Sequence, residues 1–508
     1  MHWKAGCAAA ALWIVVCPAS WGQAQKGTDD QQKTQAPMTK DQARELFRSV
    51  DEILNFVSKD TKLPIQHSVK RKLISRDEVT KFLRKKFDED ESTKRMERSE
   101  IVLKKFGLLD RDFQLRPFLL SLLTEQIAGF YDNKTKTVNL LDWIQPDEQK
   151  PVLAHELTHA LQDQKIDLTK WSDVSFNDPS HNVQDDNKHI QMDEADTART
   201  AVAEGQAMAV FVDYSLQPTG KTIADAPELA DKLKDTVSDM SGSPVLARAP
   251  LLLQQSLLFP YDEGLGFEQA LLIRGGRDVA FAGTLVNPPS SSFEIMHPDA
   301  YMRHTPVPLL RLPDIHPLID ADYSPYDLGV MGELDVRIVT ELFGGREMAE
   351  ALAPEWNGGL YYAAQKKSAT AAEKESTASI ALFYYSKWKN SDSARSFLRI
   401  YAAEIPRKYS GVSRRKQDEQ EGEQIYSTSE GDVLLSNSDK GVFIAEGFPL
   451  ELARKLRDSV ASVQSDGPMK VAENYREPVL DLSRTLNAFG VMRAGYQAGY
   501  RYTSEGRP

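Results

Sequence analysis

From Lys40 to Lys59, apolar side chains fall at Ala43, Leu46, Phe47, Val50, Ile53, Leu54 and Val57. These steps of three and four predict an amphipathic helix. A strand is predicted over Ile65–Ile74, then two charged helices, Arg76–Phe87 and Glu91–Phe106, the second stopped by Gly107. Their many Lys, Arg, Asp and Glu residues read as solvated faces. Gln114–Ile127 is again helical and leads into Gly129–Leu141, two apolar arms around a polar Asp132-Asn133-Lys134-Thr135 turn, the pattern of a β-hairpin. Further on, helices are predicted over Asp193–Tyr214, Pro227–Met240 and Leu246–Leu258, and another opens at Phe259–Gly264 and runs through Ile273. Gly332–Leu342 and Gly345–Leu352 are also helical. A polar stretch from Gln164 to Ile190, with Trp171, Asn177, Asp178, His181 and His189, reads as a long loop, and residues 305–326 as Pro-rich irregular chain.

From Leu360 the pattern turns to strands, at Leu360–Gln365, Ile380–Trp388, Glu423–Tyr426, Val433–Ser436 and Val442–Glu446. Helices at Ser391–Ile405 and Leu450–Val460 complete a strand-strand-helix-strand-strand-helix order. That order predicts a small α+β domain with its helices on one face of an antiparallel sheet.

One helical stretch holds chemistry. In Val152-Leu153-Ala154-His155-Glu156-Leu157-Thr158-His159-Ala160-Leu161, two histidines stand four apart with a glutamate beside the first. Positions i and i+4 share a helix face, so His155 and His159 can offer two imidazole nitrogens to one metal. Glu156 is rotated by about 100° from His155, placing it as a general base toward water rather than as a ligand. The flanks are strongly apolar, and two histidines and a glutamate in a buried wall need a partner that a metal ion supplies. This is the H-E-x-x-H spacing of a zinc site.

Composition narrows the field around that motif. The 508 residues are 41% apolar and 27% charged, enough for a sizeable core and more than one domain. Met1–Ala24 has Lys4, an apolar run from Ala5 to Val16, and small Gly22 and Ala24 before Gln25, which predicts a secretory signal and an exported protein, periplasmic or extracellular. Both cysteines, Cys7 and Cys17, lie in that segment, which removes cysteine from the possible ligands and nucleophiles of the mature chain. The formal net charge of −12 disfavours nucleic acid as a partner. No later segment is apolar for long enough to span a bilayer.

The segment 152–164, Val-Leu-Ala-His-Glu-Leu-Thr-His-Ala-Leu-Gln-Asp-Gln, resembles the active-site helix of zincin metallopeptidases, and the chain also resembles exported bacterial metallopeptidases without an assigned substrate. The resemblance implies a helix-rich α+β fold with a zincin-like catalytic domain, Zn2+ as cofactor and a peptide or protein substrate. It also implies that the hairpin is an edge strand able to pair with extended substrate. The expected organisation is a signal (1–24), a leader (25–38), a mostly helical region (39–110), the zincin-like domain (111–358), the C-terminal α+β domain (359–465) and an extension (466–508).

A catalytic zinc takes three protein ligands and leaves one position open. The metzincin pattern would place Gly at 162 and His at 165, where this chain has Gln162 and Lys165. The remaining downstream candidates are His181, His189, Asp193, Glu194, Asp196 and Glu204. Glu204 is favoured: it sits mid-helix among Ala201, Val202, Ala203 and Ala207, and Ala203-Glu204-Gly205-Gln206-Ala207 is similar to the Glu-Gly-x-Ala segment of gluzincins. Some gluzincins carry an acidic residue four past that glutamate, where this chain has Met208. Asp193, eleven residues before Glu204 on nearly the same helical face, is then a candidate to support a ligand histidine. His297, Tyr261, Tyr301 and Tyr131 are candidates for stabilising an oxyanion. The expected activity is peptide hydrolysis with Glu156 as base and His155, His159 and Glu204 on zinc. The alternatives are a catalytically silent zinc-holding scaffold and a hydrolase of a non-peptide amide or ester.

Overall fold

The computed structural model describes residues 38–87, 90–171, 179–229 and 243–470. The expected signal and leader up to residue 37, most of the predicted helix 227–240 and the extension beyond residue 470 lie outside them. The described chain is a helix-rich α+β fold. Among the described residues, no helix is long and apolar enough to cross a membrane.

A helical layer surrounds the helix Pro146–Ile166, which carries the two histidines. Its start follows the usual rules: Pro146 opens the first turn, and Asp147 and Glu148 face the positive end of the helix dipole. Val152, Leu153, Leu157 and Leu161 are fully buried, as is Ala154 on the same stretch. Such burial on every side is what a central helix requires, and each large side chain contributes about 2 kcal/mol of transfer free energy. The amphipathic helix Lys40–Thr61, capped by a Thr39–Gln42 box, covers one side. The helix Ala195–Leu216 covers another and is itself backed by the long helix Leu251–Arg277.

A three-stranded sheet lies over the histidine helix, in the order β1 (Lys70–Ile74), β3 (Thr137–Leu141), β2 (Phe130–Asp132), with β1 parallel and β2 antiparallel to β3. Two side chains of the helix rivet this hairpin. Gln149 accepts from Leu141 N at 3.0 Å and donates to Leu141 O and Ile144 O at 2.9 and 2.8 Å. One turn from the other end, Asp163 takes Tyr131 Oη at 2.7 Å and Lys136 Nζ at 2.7 Å.

The second sheet has seven antiparallel strands: β4 (Tyr323–Val330), β5 (Trp356–Lys366), β6 (Ile380–Trp388), β7 (Ser413–Arg414), β8 (Glu423–Thr428), β9 (Gly431–Ser438) and β10 (Gly441–Glu446). They are arranged in the order β4-β5-β6-β10-β9-β8-β7. The helix Ser391–Lys408 packs Phe397 on Tyr384 and Trp388, and its Tyr401 donates to Glu446. Glu423 and Ile425 pair with Ser436 and Leu434, residues that point to the opposite face, and Arg454 and Arg457 of the helix Leu450–Ser462 reach Glu423 there. The two helices therefore lie on opposite faces, not on one as the element order suggested. The charged helix Asp90–Phe106 is tied to this sheet through buried Lys105, 2.9 Å from Glu430.

Four local expectations change. The first strand begins at Lys70 rather than Ile65. The long polar loop contains two helical pieces, Leu168–Trp171 and Val183–Met192, around residues 172–178, which are not described. Strand β4, the edge of the large sheet, begins within the stretch 305–326 read as Pro-rich and irregular. Its Pro325 lies beside a bulge between Pro325 and Asp327, which is where an edge strand tolerates a missing N–H. The two predicted helices around Pro260 are one continuous helix, because burial of Leu252, Leu253, Leu257, Phe259 and Tyr261 outweighs the hydrogen bond that Pro260 removes.

Candidate metal centre

The structure brings His155, His159 and Glu204 together. His155 Nε2 and His159 Nε2 are 3.0 Å apart, and Glu204 Oε2 lies 3.1 Å from the first and 3.4 Å from the second. Donor atoms at the corners of a tetrahedron around zinc, with bonds of about 2.0–2.1 Å, stand about 3.3 Å from each other. The three observed separations match that edge.

The hydrogen-bond pattern fixes which nitrogen of His159 is free. Gln206 Nε2 faces Ala280 O and Phe281 O, both at 3.0 Å, so that atom is the donating nitrogen. Gln206 Oε1 then accepts from Gln162 Nε2 at 2.9 Å, which also donates to Ala203 O at 3.0 Å. Gln162 Oε1 is left to accept from His159 Nδ1 at 2.9 Å. With Nδ1 donating to Gln162, the His159 ring presents Nε2 to a second imidazole nitrogen and a carboxylate oxygen, as a lone pair whenever the ring is neutral. Three such atoms converging in a buried place are held together by a positive charge, either a proton on His159 or a metal ion at their centre. The donor set, two imidazoles and one carboxylate, is that of a zinc site with an open position.

Glycine sets the approach of Glu204. A Cβ on Gly205 would stand 2.2 Å from Gly264 O, and one on Gly264 would stand 2.3 Å from Ala201 O. The helix Ala195–Leu216 and the long helix Leu251–Arg277 thus cross backbone against backbone, immediately beside the glutamate.

Glu156 faces the same place from the hairpin side. Its carboxyl lies beside the backbone N–H of Tyr131 in β2, which favours the charged form, while Oε1 is buried with no hydrogen-bond partner. Burial is the main reason its carboxyl is pushed up to about 7, a value suited to taking and returning a proton near neutral pH. Burial likewise depresses His155 to about 4. For His159, burial is outweighed by Glu204, which lifts it to about 9; for Glu204, burial is outweighed by His159 and the bonds to both rings, which hold it at about 2. In the metal-free protein His159 and Glu204 therefore form an ion pair.

The other candidates lie elsewhere. Asp193 binds Val330 N at 2.7 Å and stands 3.5 Å from His189, so it does not support a ligand histidine. The same-face argument fails because the helix begins at Ala195, after Asp193. Glu194 bonds to Ser292, Asp196 is buried near the start of the Glu204 helix, and His181 joins a separate cluster with His316 and Asp320. Of the proposed oxyanion groups, Tyr261 lays its ring 6.4 Å from that of His155, at 20°. Tyr131 Oη is committed to Asp163, Tyr301 Oη to Asn287 O, and His297 Nε2 to Glu333 at 2.7 Å.

Sequence reasoning missed Gln162 and Gln206. Gln162 had registered only as a departure from the metzincin pattern, yet at three residues past His159 it is within reach of that ring, a signal available from helix spacing. Comparison with protein-family models, curated proteins and solved structures found no match to this chain.

Proposed function

We propose that this chain is an exported zinc-dependent metallopeptidase of gluzincin type. The observation that supports it is the triangle of His155 Nε2, His159 Nε2 and Glu204 Oε2 with the Glu156 carboxyl beside it. Those three atoms would hold the ion, and zinc bound there supplies Lewis acidity that polarises a carbonyl and makes water more acidic. Gln162 keeps the His159 lone pair on Nε2. Glu156 takes a proton from water at its unpartnered Oε1 and delivers it to the departing amine. Strand β2 is the edge of its sheet, and under this reading an extended peptide would pair with it. The peptide substrate rests on the likeness of residues 152–164 to the zincin active-site helix.

The test compares the wild-type chain with Glu156→Gln for zinc content and for casein or peptide-library cleavage. Equal zinc with cleavage by the wild type alone is expected. Equal cleavage by both removes Glu156 from the chemistry. A second reading, a zinc-holding scaffold without catalysis, is favoured by the burial of the site: His155 is 0% exposed, Glu156 1% and Glu204 5%. It requires that zinc be bound and that neither protein cleave peptides or small amides and esters.

A further inference from the structure

A second group of metal-binding side chains lies apart from the triad, where the chain entering the helix Val183–Met192 meets the turn His316–Asp320. Asp320 stands between two imidazoles, with Oδ2 2.8 Å from His181 Nδ1 and Oδ1 3.3 Å from His316 Nδ1. One ligand atom from each of the three residues falls within 4.8 Å of the others. His316 and Asp320 are four residues apart on one helical turn, the spacing at which side chains meet.

The far side of His316 is fixed. Its Nε2 lies 3.1 Å from Asp186 Oδ2, and Asp186 Oδ1 accepts Ser180 N at 3.1 Å. Asp186 is 1% exposed and His316 6%. A buried carboxylate on Nε2 draws the ring proton to that nitrogen, which leaves the Nδ1 lone pair facing the oxygen of Asp320. Two lone pairs at 3.3 Å repel unless a proton or a metal ion lies between them.

An independent feature points to the same place. The hydroxyl of fully buried Tyr362 has no hydrogen-bond partner in the protein, and its ring lies 6.4 Å from that of His316. The charges of Asp186 and Asp320 both reach it, adding to the burial that raises its pKa. A buried hydroxyl left without a partner near the His316 ring and two carboxylates marks a place that takes a further polar group, such as a metal-bound water.

We propose that His181 Nδ1, His316 Nδ1 and the Asp320 carboxylate form a second divalent-cation site, with Asp186 orienting His316 from behind. Two imidazoles and a carboxylate suit zinc best among the common biological cations, and His181, at the surface, leaves an open position for water. Lys367 Nζ bonds Asp320 O at 2.6 Å, so an ion here clamps the segment around His181 to the turn 316–320 and, through Lys367, to the end of β5. This site does not depend on the activity proposed for the triad.

The test uses the full chain carrying His155→Ala and His159→Ala, which silences the triad, titrated with zinc against a chromophoric chelator. Retention of one zinc is expected, with its loss when His181→Ala is added. Asp186→Asn, which keeps the ring contact without the charge, should weaken binding by about 10–100-fold. Should the triad-less chain fail to fold, the wild type supplies the count: two zinc ions, falling to one on replacing the exposed His181. No zinc in a folded triad-less chain, or an unchanged count in His181→Ala, overturns the proposal and leaves His316 as an imidazolium bridging two carboxylates.

Discussion

Replacing Gly264 by alanine tests the helix crossing that carries Glu204. The added Cβ would stand 2.3 Å from Ala201 O, whereas ordinary contact begins at 3.4 Å. One helix must retreat by about 1 Å, since cores transmit rather than absorb such overlap. Metal ligands tolerate displacements of only about 0.2 Å, and Glu204 lies next to the crossing with its oxygen 3.1 and 3.4 Å from the two histidines. If the Glu204 helix shifts, zinc affinity should fall about tenfold or more, the range for losing support behind a ligand. If the long helix yields instead, overpacking should cost about 1–3 kcal/mol. A chelator-competition titration reads the first and a thermal melt of the metal-free protein reads the second. A Gly264→Ala protein with wild-type melting and wild-type zinc affinity would show that the crossing is slack and that glycine there has no bearing on the site.

Three further outcomes are expected. Gln162→Ala should weaken zinc binding by about 10–100-fold by releasing His159 Nδ1, and unchanged affinity in the same titration would discount the amide as the orienting group. Glu194, pushed up to about 8 mainly by burial, retains its proton in the fold over a range where the unfolded chain has lost it. Its contribution is therefore complete below about pH 4.5 and is lost as pH rises through about 8, at about 1.4 kcal/mol per pH unit; denaturant melts of Glu194→Gln across that range should lose this slope, and an identical slope would remove burial as its cause. Glu446→Gln takes the countercharge from Lys408, which lies 2.5 Å from it with almost no exposure, and should cost about 3–5 kcal/mol in urea unfolding. A cost under about 1 kcal/mol would mean that Lys408 finds another partner.

The metal centre was legible in the sequence to the extent that it follows helical spacing. His155 and His159 are one turn apart, and the small apolar neighbours of Glu204 favoured an inward carboxylate over a surface-facing one, which its burial matches. What surrounds them was less visible. The link from Gln162 through Gln206 to Ala280 and Phe281 joins three distant segments, and nothing local in the sequence specifies that two amides will meet. In the fold, the long helix was read as two because Pro260 disfavours helix, a local preference that tertiary burial overrode. The covering of both sheet faces had a sign: Ile380 to Tyr385 is apolar throughout rather than alternating, as strands buried on both sides are.

The wide π-turn Asp278–Gly283, which follows the break at Gly276, gives the metal centre a connection to the surface. Its bonding leaves the Ala280 and Phe281 carbonyls able to accept Gln206. The same turn exposes Val279, 41% open to solvent. Two amides, of Gln206 and Gln162, thus link an outer bend of the chain to the His159 imidazole. The outer bend and the imidazole are therefore joined by an unbroken run of hydrogen bonds from carbonyl to ring.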